Sequence, residues 1–331
     1  MVSLERLEVV PIRIPMEGGA HEAVIVIQHG DDAIGLGEAP VVAGRGDSLP
    51  ALVAELLGKT PPRSAAARFA LETARLDLQA RQEGRPLAAL LGAPQRRVVE
   101  CSALLTASRP DLVAREAERC AAAGFTAFKL KAANGGGTVD QERLGAARWA
   151  AGPSARLRLD FNGRLGAAEA MARLAGLAPF RLELVEQPLP ADAPLGAWQA
   201  LRAAGSTLLA ADESLAQASL ARELAAAGVT LAIKLATVGG LLAACELARQ
   251  ATGPLTVGSS FETSIGLAAA LHLACALPSE PLACGLATGR LLDDDLATGL
   301  TLRGAHLQLP DQPGLGVTLD RRGLELYRLD R

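Results

Sequence analysis

Short apolar segments alternate with alanine-rich helical segments from residue 98 to residue 286, and this alternation constrains the fold more than any other feature. Strand and helix repeated along a chain form the pattern of parallel βα units. Eight units within about 190 residues favour a closed α/β barrel over an open doubly wound sheet. The predicted strands span residues 98–104, 126–131, 157–161, 182–186, 207–211, 230–234, 255–258 and 282–286, and the predicted helices 111–123, 141–150, 167–175, 215–227, 241–251 and 265–276.

The two ends of the chain have a different pattern. Residues 4–14 alternate apolar and polar positions and open a short antiparallel meander. Helices are predicted over residues 49–57 and 64–83, the second with Ser64 as its N-cap. The tail from residue 300 alternates again and is predicted to pair with the meander. We therefore predict an α+β domain over residues 1–95, a barrel over 96–299 and a tail over 300–331 that returns to the first domain.

Composition limits the classes of function. The net charge of −3 and the absence of a long basic run argue against nucleic acid or a membrane surface as partner. No GxGxxG or GxxxxGK follows the first predicted strand, which weakens a nucleotide-binding interpretation. Five cysteines without a CxxC pair indicate buried free thiols in a reducing compartment. The N-terminus has no long apolar core, so we expect no signal peptide and a cytoplasmic protein.

Two lysines lie on one face of the predicted strand 126–131. Alternate strand residues share a face, so Lys129 and Lys131 point the same way. The strand lies between a predicted helix and a glycine-rich turn at residues 134–137, which suggests burial between helices. Two buried ammonium groups are costly unless carboxylates lie opposite them. The alternative is an edge strand whose lysines lie in water.

Five consecutive predicted strands end at or next to a charged residue. In a barrel, these groups gather at the C-terminal mouth, where such folds carry out their chemistry. A single charge at a strand end is usually a solvated loop residue, but five in succession point to a site. The five residues are Lys131, Asp160, Glu186, Asp212 and Lys234.

The types of these residues indicate a chemistry. Asp160, Glu186 and Asp212 are hard oxygen donors on neighbouring strands and suit Mg²⁺, while the absence of a nearby histidine disfavours zinc. Lys131 and Lys234 come from the second and sixth strands and therefore lie on opposite sides of the carboxylates. A lysine facing a metal site can act as a base near neutral pH. A divalent cation is the most direct stabiliser of the enediolate formed by proton loss beside a carboxylate.

In chain order, the motifs Lys-x-Lys131, Asp160-x-Asn, Glu186-Gln-Pro, Asp212-Glu-Ser and a lone Lys234 resemble the muconate-lactonising-enzyme branch of the enolase superfamily. Residues 70–78 and 86–90 resemble that family's capping-domain signature. The resemblance implies an α+β capping domain over a (β/α)₇β barrel of TIM type. It also implies Mg²⁺ as cofactor, with Mn²⁺ as a substitute. It implies Lys131 and Lys234 as the acid/base pair, Lys129 as the residue that tunes Lys131, and Asn162 and Glu213 behind the metal ligands.

Within that branch, residues 258–266 and 283–292 are similar to o-succinylbenzoate synthases of menaquinone biosynthesis. The resemblance implies a lyase reaction in which Lys131 takes a proton alpha to a carboxylate and returns it to the departing hydroxyl. N-acylamino acid racemases, dipeptide epimerases and muconate cycloisomerases share the site and are the isomerase alternatives. Dipeptide epimerases carry Asp-x-Asp at the end of the eighth strand, where residues 286–288 are uncharged. The acidic run 293–295 is predicted to be a solvated turn.

Several other residues allow two interpretations. Ser259 and Ser260 are predicted to bind substrate, with simple turn residues as the alternative, and Glu262 either binds substrate or braces the next helix. His21 is predicted to lie at the surface and His272 to be a satisfied helix histidine. Specificity is expected from loops 16–21 and 41–45. We expect a small-molecule carboxylate as the partner, with a homo-oligomer left open. Two further hypotheses are a Schiff-base aldolase using Lys131 or Lys234, and a catalytically silent binding protein.

Overall fold

The computed structural model describes residues 7–42, 46–92, 95–133 and 137–330. Part of the predicted loop 41–45 and most of the glycine-rich turn 134–137 lie outside these residues. Within the described ranges, no helix combines the length and apolar character that crossing a bilayer requires. All five cysteines are buried free thiols, as predicted.

The N-terminal region forms a three-stranded antiparallel sheet, which confirms the predicted meander. Its first two strands are joined by a two-residue turn, in which Gly18 has a φ of +81°. The turn is fixed to the rest of the protein, because the Glu17 N–H donates to the Leu291 carbonyl at 3.0 Å and the Thr106 hydroxyl donates to the Glu17 carboxylate at 3.1 Å. The strands are β1 (Leu7–Met16), β2 (Gly19–His29) and β3 (Ile34–Pro40).

Close backbone packing joins this sheet to the helices that follow it. Gly35 and Gly37 lie on one face of β3, and a Cβ at either would fall within about 2.0 Å of a helix carbonyl oxygen, that of Ala74 or Ala70. Only glycine permits this approach, since any side chain would force the strand and helix apart. The side chain of Ser64 caps the long helix, as predicted. The helices are α1 (Leu49–Leu57), α2 (Ala65–Gln82) and α3 (Ala88–Leu91).

Consecutive parallel strands form the barrel, which confirms the predicted fold class. The predicted first strand is divided, because β4 (Val98–Glu100) ends before the barrel strand β5 (Ala103–Leu105) begins. Residues 284 and 285 close the ring by bridging to Cys101 on one side and Gly258 on the other. The remaining strands are β6 (Ala127–Lys131), β7 (Arg156–Asp160), β8 (Leu184–Glu186), β9 (Leu208–Ala211), β10 (Thr230–Lys234) and β11 (Leu255–Gly258).

Helices surround the barrel and differ from prediction in several places, one of which is the unpredicted short helix Leu235–Val238. A helix over Leu195–Ala203 was not predicted. Prolines at 188, 190 and 194 are typical of a loop and precede the helix directly. The helix buries Trp198 and Leu201. The predicted helix 215–227 is instead a 3₁₀ turn over Glu213–Ala216 followed by an α-helix. The helices are α4 (Pro110–Ala122), α5 (Gly137–Ala151), α6 (Ala167–Leu177), α7 (Leu195–Ala203), α8 (Ala218–Ala226), α9 (Leu235–Val238), α10 (Leu241–Gln250) and α11 (Ser264–Ala276).

The C-terminal tail pairs with the meander only in part, through an antiparallel bridge between Arg328 and Ile12. Its alternating segment pairs with β4 rather than with the meander, because β4 presents a free edge beside the barrel. Other tail residues do contact the N-terminal region, since the Leu315 N–H donates to Asp77 at 2.6 Å and the Leu329 N–H to the Pro11 carbonyl at 2.9 Å. The predicted domain boundaries remain predictions. The elements are β12 (Ala297–Thr298), β13 (Leu302–Arg303), β14 (His306–Gln308), β15 (Thr318–Leu319) and α12 (Arg321–Tyr327).

His272 joins three parts of the chain inside the core. Its Nδ1 accepts a hydrogen bond from the Ala88 N–H at 2.9 Å, and its Nε2 donates to the Leu315 carbonyl at 3.1 Å. This arrangement requires the neutral imidazole, because a second ring proton would leave the Ala88 N–H without an acceptor. Burial lowers the pKa of His272 to about 4. The prediction of a satisfied helix histidine is confirmed.

We expect Gly37→Ala to destabilise the protein strongly. Its new methyl group would lie 2.0 Å from the Ala70 carbonyl oxygen, so the free energy of unfolding should fall by about 3 kcal/mol, the upper range for overpacking. Gly19→Ala is the matched control, since no atom lies within 4 Å of its added methyl group, and should change stability by less than about 0.5 kcal/mol. Urea denaturation measures both, and equal effects would contradict this account of the packing.

We also expect His272 to make stability fall with acidity. Its folded pKa lies below the ordinary 6.5, so the unfolded chain binds a proton that the folded protein does not. The contribution of His272 to the free energy of unfolding is therefore complete above about pH 6.5 and is lost as the pH falls toward 4. The loss between pH 8 and pH 5 amounts to about 2 kcal/mol. Denaturation at both pH values should show that His272→Gln loses about 2 kcal/mol less free energy of unfolding than wild type when the pH falls from 8 to 5. An identical pH dependence in both proteins would exclude His272 as the cause.

Candidate active site at the carboxyl ends of the barrel strands

The five predicted strand-end residues lie at one end of the barrel. Lys131, Asp160, Glu186 and Lys234 are the last residues of their strands, and Asp212 directly follows β9. Parallel pairing sets Lys131 beside Asp160, and Asp160 beside Glu186. Because side chains at the same register of parallel strands point the same way, these groups share one surface of the barrel mouth. The structure therefore brings together the residues that the sequence predicts.

Lys129 lies within the carboxylate cluster. Its Nζ is 2.6 Å from a Glu186 oxygen and 3.0 Å from an Asp160 oxygen. Burial alone would lower the pKa of Lys129, but the charges of Asp160 and Glu186 outweigh that effect and raise it. Lys129 is therefore a fixed cation that neutralises the two carboxylates.

Lys234 pairs with the third carboxylate. Its Nζ is 2.5 Å from Asp212 Oδ2 and 3.8 Å from Glu186 Oε1. Burial would lower the pKa of Lys234, but Asp212 and Glu186 raise it instead. The other Asp212 oxygen, Oδ1, is buried and has no hydrogen-bond partner among the described residues. A buried carboxylate oxygen without a partner is costly, so this atom marks a place where a cation is favoured.

The carboxylates differ in how easily they hold charge. Burial would raise the pKa of Asp160, but Lys129 and Lys234 lower it below its ordinary value. Burial raises the pKa of Glu186, and the charge of Asp160 adds to this, while Lys129 opposes it. All three carboxylates are almost wholly buried, with exposures of 1–3%. A group of this kind is stable only with cations close by.

The donor set fits a hard divalent cation. Three carboxylates on neighbouring strands supply only oxygen ligands, as Mg²⁺ prefers, and Asp212 keeps an unpartnered oxygen. As the side chains stand, no three His, Cys, Asp or Glu side chains in the described part of the chain converge closely enough to hold a metal ion. Lys129 and Lys234 contact those carboxylates instead. Binding a metal therefore requires the ammonium groups to yield some of these contacts.

Asn162 and Glu213 lie beside the carboxylates, where the sequence predicts them. The Asn162 amide donates to Asp160 at 3.3 Å and to Glu213 at 3.1 Å, and its backbone N–H donates to Asp160 at 3.0 Å. Glu213 Oε2 is also buried without a partner among the described residues. Burial raises the pKa of Glu213, and the charges of Asp212 and Asp160 raise it further. Asn162 thus links the two acidic residues.

Gln187 positions Asp212 and was not predicted. Its side-chain oxygen accepts the backbone N–H groups of Asp212 at 2.8 Å and Ser214 at 3.2 Å, and its amide donates to the Ser214 hydroxyl at 2.8 Å. The residue is completely buried. The Glu-Gln-Pro motif contains Gln187, but its partners lie one βα unit away and no local pattern reveals them.

Lys131 faces an open cavity of about 610 Å³. Its amine lies 5.7 Å from the centre of the Phe261 ring. Partial removal from water lowers the pKa of Lys131, the charges of Lys234 and Lys129 add to this, and Asp160 opposes it. Residues of the predicted specificity loops also line the cavity, among them Met16, His21 and Val41. Both the barrel and the N-terminal region therefore surround Lys131.

Two of the three predicted substrate-binding residues line this cavity. Ser259 and Ser260 do so, and the Ser259 hydroxyl is 2.6 Å from that of Thr288. Glu262 turns into its own loop, where its carboxylate accepts the Ser260 N–H at 2.6 Å. Burial raises the pKa of Glu262 to about 7, and the charge of Glu38 contributes. Glu262 is not among the residues that line the cavity.

Helix α11 is braced by carboxylates other than Glu262. Glu38 accepts the N–H groups of Thr263 and Gly266, each at 3.0 Å. Asp295 accepts the Ser264 N–H at 3.0 Å. The predicted solvated turn 293–295 is therefore partly wrong, because Asp295 binds the first turn of the helix, whereas Asp293 and Asp294 are exposed as predicted.

The prediction that His21 is a surface histidine is wrong. His21 is only 4% exposed, and its Nε2 lies 2.8 Å from the Glu38 carboxylate. Burial lowers the pKa of His21, but the hydrogen bond and charge of Glu38 raise it above its ordinary value. Burial would raise the pKa of Glu38, and His21 lowers it. The pair is thus a buried ion pair beside the cavity.

Comparison with known proteins identifies the family. A sequence profile described as "Enolase C-terminal domain-like" matches residues 112–323. The o-succinylbenzoate synthase of Thermobifida fusca is 40% identical over 209 residues, which cover 62% of this chain and 64% of that enzyme, so the match spans less than two thirds of the relative's length. Chloromuconate cycloisomerase CbnB of Cupriavidus necator is 29% identical over 296 residues, covering 87% of this chain and 80% of that enzyme.

The fold is also similar to that of an epimerase of known structure. The substrate-liganded L-Ala-D/L-Glu epimerase from Bacillus subtilis superposes with a TM-score of 0.86 and 27% identity, covering 94% of this chain and 98% of the epimerase. Together with the matched profile, this likeness covers both the barrel and the N-terminal region. The chain belongs to the enolase C-terminal domain-like family, in the muconate-lactonising-enzyme branch of the enolase superfamily, and is similar to o-succinylbenzoate synthases.

Proposed function

We propose that this protein removes a proton alpha to a substrate carboxylate through an enediolate, and that the reaction is the syn-dehydration that forms o-succinylbenzoate. The observation that carries the proposal is the placement of Lys131 and Lys234 in one cavity above three buried carboxylates. This reaction needs a titratable amine to remove the proton and a nearby divalent cation to stabilise the negative charge that results. The likeness to the Thermobifida fusca synthase supports the choice of product.

The chain's use of lysine supports a chemical role for these residues. Of 33 lysine and arginine residues only four are lysines, and three of those are Lys129, Lys131 and Lys234. The fourth, Lys59, is exposed at the surface. Arginine cannot lose its proton in a protein, whereas a lysine can act as a base. A chain that otherwise prefers arginine keeps lysine where a titratable amine is useful.

The proposed steps assign one role to each lysine. The neutral amine of Lys131 takes the proton, and the C–H electrons form the enediolate. The enediolate then expels the β-hydroxyl, which Lys131 protonates on the same face, so that water leaves and the amine is restored. Lys234 faces the enediolate as a cation, and Lys129 holds its position among the carboxylates.

Asp160, Glu186 and Asp212 would hold Mg²⁺, or Mn²⁺ in its place, with Asn162 and Glu213 beside them. A bound divalent ion would stabilise the negative charge on the enediolate oxygens. Ser259 and Ser260 line the cavity as candidate contacts to the substrate. In this proposal residues 1–95 cap the barrel of residues 96–299, with the tail 300–331 packed against the cap.

An isomerase is the second candidate, because amines on opposite strands of the barrel can carry protons on both faces of a substrate. The longer match to chloromuconate cycloisomerase favours cycloisomerisation over N-acylamino acid racemisation among these reactions. Dipeptide epimerisation is disfavoured, since residues 286–288 carry no charge and Thr288 pairs with Ser259. Turnover of muconate, without formation of o-succinylbenzoate from its precursor, would favour the second candidate.

We expect Lys131→Arg to abolish dehydration while preserving the positive charge. Loss of general-base catalysis should lower kcat by about 1,000-fold. Lys59→Arg is the matched control and should leave kcat within about twofold, because Lys59 is exposed and away from the cavity. An absorbance assay of o-succinylbenzoate formation measures both. Substantial activity in Lys131→Arg would refute the assignment of Lys131 as the base.

We expect Mg²⁺ to stabilise the folded protein through the three carboxylates. A ligand at 100 times its Kd adds about 2.7 kcal/mol to the free energy of unfolding, which thermal unfolding with and without Mg²⁺ detects as a rise in Tm. The rise should vanish in Asp212→Asn and persist in Asp192→Asn, which changes an exposed carboxylate in the loop after β8. A full Mg²⁺-induced rise in Asp212→Asn would place the ion elsewhere.

A further inference from the structure

Among the residues that the structure describes, four other than glycine have a positive φ, and three of them lie at the candidate active site. Asn162 and Gln187 bond to groups around the three carboxylates, and the centre of the Phe261 ring lies 5.7 Å from the Lys131 amine. The fourth is Arg181, with a φ of +46°. A side chain costs free energy in this conformation, and residues that bear this cost gather at functional sites. Arg181 therefore marks a second candidate site.

Arg181 lies at the end of the barrel opposite the candidate active site. It follows the 3₁₀ turn Ala178–Phe180 and precedes β8, so it is near the amino ends of the parallel strands. Together with the end of α5, it lines an open groove of about 500 Å³. Two arginines, Trp149, Phe180, two prolines and two glycines line the groove, and none of these residues is acidic.

The second arginine of the groove, Arg148, joins the two loops that form it. Its guanidinium donates to the Pro153 carbonyl at 3.2 Å and to the Ala155 carbonyl, both after α5, and to the Phe180 carbonyl at 2.9 Å. These acceptors are neutral and leave the positive charge of Arg148 without a counterion. Burial lowers the pKa of Arg148, and the charge of Arg181 lowers it further.

No carboxylate in the described part of the chain pairs with either arginine of the groove. Glu183 is the acidic residue nearest to Arg181 along the chain, but it pairs with Arg158 at 2.6 Å and with Arg156 at 3.6 Å. Two guanidinium groups thus line one groove without a negative partner. Their mutual repulsion would be relieved by an anion.

Trp149 adds an uncovered aromatic surface to this positive charge. Its side chain is 83% exposed, whereas Trp198, the chain's other tryptophan, is completely buried. Tryptophan is highly buried on average, and its faces favour stacking with another flat ring. A guanidinium binds a carboxylate or phosphate through two parallel hydrogen bonds. The volume of the groove lies in the usual range for sites that bind small molecules.

We propose that this groove binds a flat aromatic molecule that carries an anionic group. The ring stacks on Trp149, and Arg181 pairs with the anion. This role explains why an arginine occupies a backbone conformation that glycine adopts more easily. The inference is independent of the proposed reaction, because the groove lies at the other end of the barrel from Lys131.

NMR titration tests the inference, because each of the two tryptophans gives one indole N–H signal. The Trp149 signal is the one that is absent from Trp149→Phe. In wild type, 2-naphthoate should shift this signal with a Kd at least about tenfold lower than that of 2-naphthamide, since only the acid forms a hydrogen bond between charged groups. Acetate has the charge but no ring and should also bind at least about tenfold more weakly than 2-naphthoate. The Trp198 signal should not move.

Arg181→Gly removes the charge while glycine adopts the same φ freely, so the variant should fold normally. Its preference for 2-naphthoate over 2-naphthamide should fall to within about twofold. Arg181→Lys keeps the charge and should retain most of the preference. Arg13→Gln, which changes an exposed arginine on β1, is the control and should keep all of it.

An unchanged preference in Arg181→Gly would overturn the proposal, and so would failure of 2-naphthoate to shift the Trp149 signal in wild type. Binding of 2-naphthoate in the cavity beside Lys131 would leave the Trp149 signal in place and would therefore count as such a failure. A dimer in sedimentation velocity that dissociates in Trp149→Ala, without any shift by 2-naphthoate, would instead assign the groove to contact between two copies of the chain.

Discussion

The site depends on the balance between buried carboxylates and ammonium groups at the barrel mouth. Asp160, Glu186 and Asp212 are nearly inaccessible to water, and burying three negative charges is prohibitive without cations within contact distance. Lys129 and Lys234 supply those cations at 2.5–3.0 Å. Parallel pairing of consecutive strands makes this balance achievable, because it brings residues far apart in sequence to the same height of the barrel.

The N-terminal sheet joins the site through a second buried pair. Glu38 belongs to β3, yet most of its hydrogen bonds go to the first residues of α11, where the helix leaves N–H groups unsatisfied. His21 shares the same carboxylate. The placement of the capping sheet over the barrel is therefore coupled to the start of α11, directly after the loop that carries Ser259 and Ser260. A shift of one part would disturb the other.

The barrel and its charged strand ends could be predicted from the sequence because both are local patterns: short apolar runs and the residue that ends each. Leu195–Ala203 escaped prediction because prolines precede it, and the burial of Trp198 that stabilises it depends on tertiary packing. His21 was assigned wrongly because its partner, Glu38, lies on a different strand. Gln187 was missed for the same reason. The scarcity of lysine, in contrast, was visible in the composition and marks three site residues.

Arginine and lysine divide the cationic roles of this chain according to their chemistry. Arg143 donates to the Lys131 carbonyl at 2.8 Å and to the Ala107 carbonyl at 3.1 Å, and its planar fork serves two fixed acceptors at once. A lysine there would reach fewer acceptors, and an arginine at 131 could not exchange a proton at neutral pH. The same strand end thus needs an arginine to hold its backbone and a lysine to act from its side chain. This division explains how a chain so rich in arginine retains its few lysines almost entirely at the barrel mouth.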